Sequence, residues 1–97
     1  MITVVMVKHS GNQNKYLFRV PDGHKIASGT RIIVDTRYGL KEAVAIANSI
    51  DIESEEAAVA IFKGVTLPLK RVLMKEKPGW EPLREIPFAQ KPLEFMF

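Results

Sequence analysis

Residues 2–7, Ile-Thr-Val-Val-Met-Val, form a β-branched run without a polar face. In an extended strand, successive side chains point to opposite sides. Thr3, Val5 and Val7 fall on one side and Ile2, Val4 and Met6 on the other, so both sides are largely apolar. Such a strand has to be covered twice by the rest of the chain. The first requirement on the fold is therefore a sheet with apolar material on both faces of its opening strand.

The remaining sequence offers short strands separated by turn formers. Ser10-Gly11-Asn12-Gln13-Asn14 is a polar turn cluster, and Lys15 to Val20 places Tyr16, Phe18 and Val20 on one face, which predicts an opening hairpin. Pro21-Asp22-Gly23 is a second turn, because proline presets φ and glycine accepts positive φ. A connector, residues 24–28, leads to the strand Arg31 to Thr36, and Arg37-Tyr38-Gly39 makes the next turn. Residues 40–50 carry Ala43, Ala45 and Ala47 and fit either a helix or a strongly bent strand with small residues on its crowded face. The hairpin turn before them favours the strand. A helix is expected over about 52–63, capped by Asp51 or Ser54, with acids in its first turn and Ala57, Ala58, Ile61 and Phe62 as its apolar stripe. Lys63-Gly64 is its stop signal. A last strand is expected over 69–75.

With 97 residues, one domain is expected: residues 1–76 as sheet plus helix, and 77–97 as an extended tail packed on it or on a partner. The tail holds Pro78, Pro82, Pro87 and Pro92 beside Trp80, Phe88, Phe95 and Phe97, a composition that favours a surface ribbon over a central strand. The expected fold class is mainly β (α+β), a small five-stranded closed or half-open β-barrel with one α-helix. Closure would remove free sheet edges. The expected core is Val4, Phe18, Ile32, Val34, Val44 and Val72.

Residues 16–23, Tyr-Leu-Phe-Arg-Val-Pro-Asp-Gly, followed by Gly29-Thr30-Arg31-Ile32-Ile33-Val34, resemble the amino-terminal DNA-binding domain of the primosomal helicase PriA. That family shows a strand, a Val-Pro-acid-Gly turn and then a Gly-Thr/Ser-Arg strand. The resemblance covers about residues 16–34 and implies a small barrel that contacts DNA. Where that family carries a basic, glycine-rich hairpin, residues 36–41 here read Thr-Arg-Tyr-Gly-Leu-Lys and are mildly basic.

Charge narrows the ligand classes. The net charge is +3, with bases concentrated in residues 1–50 and acids in 51–64. The candidate nucleic-acid face is Lys15, Arg19, Arg31, Arg37, Tyr38 and Lys41, in which cations would neutralise phosphates and an aromatic ring would stack on a base. DNA or RNA is the expected partner. The alternative is a protein-interaction or structural module that uses its tail. Residues 90–97 are similar to sliding-clamp-binding peptides, which implies that Gln90 hydrogen-bonds at a pocket mouth while Leu93, Phe95 and Phe97 fill an apolar groove. Packing of the same side chains within the chain or against a second copy is the favoured reading, since a terminal apolar segment left in water would be an exposed patch.

Other chemistries find no footing in the sequence. There is no cysteine, so disulfides, thiolate nucleophiles and cysteine zinc sites are absent. His9 and His24 are the only imidazoles and show no zinc spacing. There is no nucleophile elbow, phosphate loop or dinucleotide glycine pattern. No catalytic residue, metal or cofactor is expected. The opening apolar run is broken by Lys8 and His9 and is too short to span a membrane, so a cytoplasmic protein without membrane contact is expected.

Overall fold

A computed structural model describes residues 1–9, 11, 13–76 and 79–84. Seven antiparallel strands and one helix are formed among them: β1 (Ile2–His9), β2 (Tyr16–Val20), β3 (Arg31–Thr36), β4 (Gly39–Ala45), β5 (Ile50–Ile52), α1 (Glu55–Ile61), β6 (Val72–Glu76) and β7 (Trp80–Pro82). They make one sheet in the order β2-β1-β4-β3-β6-β7, with β5 pairing β1 beside β4. No helix among the described residues is long and apolar enough to cross a membrane.

The mainly β class holds, but among the described residues the ladder does not close into a barrel. Its two flanks approach at one point, where Arg19 and Arg71 form an isolated parallel bridge and the Arg19 N–H donates to the Lys70 carbonyl at 2.8 Å. The sheet is thus curled, with a single bridge between β2 and the start of β6.

The double cover required by β1 is present. Val5 and Val7 point into the main core with Phe18, Val20, Ile26, Ile32, Val34, Ala43, Ala45, Val72 and Leu83. Val4 points the other way, into a second core with Ile52, Ala58 and Leu69, flanked by Ile2, Leu17, Phe62 and Val65. The helix and the segment after it supply that outer layer. The helix therefore lies over the outer side of β1.

Several boundaries differ from expectation. The helix runs seven residues; Ser54 caps it by accepting from the Ala57 N–H at 3.2 Å, and Glu55 and Glu56 occupy its first turn. Ile61, expected in the apolar stripe, is exposed because the helix ends there. Residues 40–50 do form strand, up to Ala45, and then bend into β5. On β4, Ala43 and Ala45 face the core and Val44 faces outward, so Val44 leaves the expected core. Ala43 lies between His9 of β1 and Ile32 of β3, and Ala45 beside Val7, which leaves little volume for a larger side chain on the concave face. Part of the tail adds a strand: β7 pairs β6 antiparallel through Trp80 and Glu76, and places Pro82 on a sheet edge, where a missing N–H is tolerated.

Candidate nucleic-acid interface

The β3–β4 hairpin carries part of the expected face at its tip. Thr36 Oγ1 accepts from the Tyr38 N–H at 3.1 Å and donates to the Gly39 carbonyl at 2.7 Å. Gly39 has φ +99°, a conformation that side chains other than glycine rarely adopt. This pinned turn holds Arg37 and Tyr38 side by side, with the guanidinium carbon 4.9 Å from the ring centroid. Stacked in this way, the cation braces the ring. Tyr38 is 75% exposed, so the braced ring still faces solvent.

Below the tip opens a cleft of about 700 Å³. Arg37, Tyr38 and Lys41 form one wall, while His9, Tyr16 and Phe18 form the other. The second wall is a small cluster of tilted and edge-on rings. The His9 ring centre is 5.3 Å from that of Tyr16 and 6.3 Å from that of Phe18, edge-on to the latter. Strand pairing builds it, because Val7 pairs with Tyr16 and His9 ends β1 beside Ala43 of β4. The His9 ring is anchored by a 3.1 Å hydrogen bond between Nδ1 and the Glu42 carbonyl. Thr66 and Lys70 complete the lining of the cleft, and with Tyr16 and Phe18 they also line a second, separate pocket that includes Lys15 and Lys63.

Charge in the cleft is one-sided. Among the described residues, Arg37, Lys41 and Lys70 line it against a single acid, Glu42. The Glu42 carboxylate is engaged outside the cleft, where Oε1 accepts from Arg31 Nε at 2.8 Å and also from Arg31 Nη2.

No family model, curated protein or solved structure matches the chain. The likeness of residues 16–34 to the primosomal helicase domain rests on the quoted turn and strand residues alone, and the chemistry of the cleft rests on its own side chains.

The six expected interface residues divide in two. Arg37, Tyr38 and Lys41 come together in the cleft, and Lys15 lines a separate neighbouring pocket. Arg19 and Arg31 do not join them. Arg19 lies on the outer face of β2 beneath the helix, with its side chain only 18% exposed and its Nη1 donating to Glu55 Oε2 at 2.8 Å. Arg31 lies on the outer face of β3 between Glu42 and Glu76, the latter 3.3 Å away, and under the Trp80 ring at 5.8 Å. Hydrogen bonding to Glu42, with the charges of both carboxylates, raises the Arg31 pKa further, so this guanidinium is charged but already matched.

Sequence reading missed His9, Tyr16, Thr66 and Lys70. Tyr16 had a signal: it ends the Tyr16-Phe18-Val20 face and carries a polar tip next to a turn. Lys70 had none, because only the bridge between β2 and β6 brings it to Tyr16. Among the described residues, no group of three or more His, Asp or Glu gathers to hold a metal. Gln90, Leu93, Phe95 and Phe97, expected to hold a partner, lie outside the described residues.

Proposed function

We propose that this chain is a non-enzymatic module that binds nucleic acid in the cleft between the β3–β4 hairpin and the start of β2. The observation that carries the reading is the composition of that cleft. Three cations face one acid whose carboxylate is bound elsewhere, and two tyrosine rings lie among them. Cations supply the sequence-independent attraction to phosphates, and exposed rings supply contact with bases. In this reading the curled sheet acts as a half-open barrel in the cytoplasm, with the bridge at Arg19 and Arg71 holding the two cleft walls together.

The test is fluorescence anisotropy of labelled oligonucleotides at about 50 and 200 mM salt, a range over which phosphate binding weakens steeply. Replacing Arg37, Lys41 or Lys70 by alanine is expected to weaken binding and to reduce the salt slope by about 0.7–0.9 for each phosphate left without its cation. Lys25→Ala, outside the cleft, is expected to leave binding unchanged. Absence of binding at both salts, or weakening caused by Lys25→Ala with the cleft variants silent, overturns the assignment.

A further inference from the structure

The same cleft differs from a duplex-binding surface in shape and lining. Duplex recognition uses a protruding helix or ribbon that enters a groove, flanked by phosphate contacts. Here the cations rim a concavity. At about 700 Å³ the cleft falls within the roughly 300–1,000 Å³ typical of small-ligand pockets, far too small for a double helix. Its lining includes two tyrosines from different elements: Tyr16 of β2, braced by His9, and Tyr38 of the β3–β4 hairpin, braced by Arg37. Each ring is held by a neighbouring residue before any ligand arrives, which lowers the ordering cost of stacking a base on it. Both rings retain exposure, 38% for Tyr16 and 75% for Tyr38.

The geometry points to unpaired bases as the ligand. We infer, resting on the nucleic-acid reading above, that the cleft takes single-stranded nucleic acid, with one base against Tyr16, one against Tyr38, and the connecting backbone along Arg37, Lys41 and Lys70. A paired base has both faces covered by its neighbours in the stack and cannot present one to a ring. Only a strand with unstacked bases uses both walls at once. A neighbouring pocket that shares Tyr16 and Lys70 with the cleft adds two further cations, Lys15 and Lys63. Because every base has a π-face, such a site is tolerant of sequence.

The experiment compares a labelled oligothymidine of about twelve nucleotides, within the site sizes of single-strand-binding folds, with its duplex on oligodeoxyadenosine and with an oligouridine of equal length. Wild-type protein is expected to bind the single strands at least tenfold more tightly than the duplex, and the two single strands rank DNA against RNA. Tyr38→Ala is expected to lower single-strand affinity by about tenfold or more. Tyr38→Phe, which keeps the ring, is expected to restore most of it. Tyr38 is exposed on a turn, so circular dichroism should report an unchanged fold in both variants. Equal binding of duplex and single strand, with Tyr38→Ala silent, overturns the single-strand inference and leaves a phosphate-binding surface. Failure of all three probes to bind overturns the nucleic-acid reading itself.

Discussion

Arg19 looks from the sequence like an exposed strand cation, yet it is a structural residue. It sits on the same face of β2 as Leu17, and that face is covered by the helix. Glu55, the first residue of α1, meets it there and performs two tasks. One carboxylate oxygen accepts from Arg19, and the other accepts from the Leu69 N–H at 2.8 Å. Glu55 therefore ties the segment bearing Thr66 and Lys70 to the helix and to β2. The Leu69 hydrogen bond first, and Arg19 second, hold its carboxyl below its ordinary value of 4.5. The folded state thus favours the ionised form. Its contribution is complete above about pH 4.5 and is lost as pH falls through the lowered folded-state value. Glu55→Ala removes both hydrogen bonds and is expected to cost about 1–3 kcal/mol at neutral pH. In urea denaturation at pH 7 and pH 3, the variant should lose less stability on acidification than the wild type does. Equal acid losses would show that this carboxylate carries none of the pH dependence.

Strand β4 shows which part of a strand is legible and which is not. The alternation of small and bulky residues over 42–45 marks an extended segment, and the turn at Arg37-Tyr38-Gly39 fixes where it starts. Which face turns inward is not decided by hydrophobicity, since valine outranks alanine on that basis. It is decided by space: on the concave side of a curled sheet, next to Val7 and Ile32, only the alanines fit. Ala43→Leu is accordingly expected to destabilise by about 1–3 kcal/mol through overpacking. Val44→Thr on the outer face should stay within about 0.5 kcal/mol. Thermal melts of the two variants distinguish the faces, and the reverse ranking would place Val44 inside. Other elements gave weaker signals. Strands β5 and β7 have three residues each, too few for periodicity to register. They exist because β1 and β6 offer them an edge to pair with. The helix is shorter than its sequence pattern because Phe62 leaves the helical conformation and turns its ring toward the second core.

At the scale of the whole molecule, the opening run of residues 2–7 organises everything else, since two cores have to form around one strand. That demand was readable from the first line of the sequence. The cleft was readable only in part. Arg37, Tyr38 and Lys41 are neighbours in the chain, whereas His9, Tyr16, Thr66 and Lys70 reach them through strand pairings and the single β2–β6 bridge. Rings and cations divide the work of holding a strand, and salt separates the two. Three cleft cations that each neutralise one phosphate of a single strand imply a slope of log K against log salt of about −2, at roughly −0.7 per phosphate. A rise from about 50 to about 200 mM salt should then weaken binding roughly twentyfold. Combined replacement of Arg37, Lys41 and Lys70 by alanine should flatten that dependence. Tyr38→Ala should shift the whole line downward and leave its slope unchanged, because stacking releases no counterions. A Tyr38 variant that changes the slope as much as a lysine variant does would mean that the ring acts only by holding Arg37 in place. The cleft would then touch the strand through its phosphates alone.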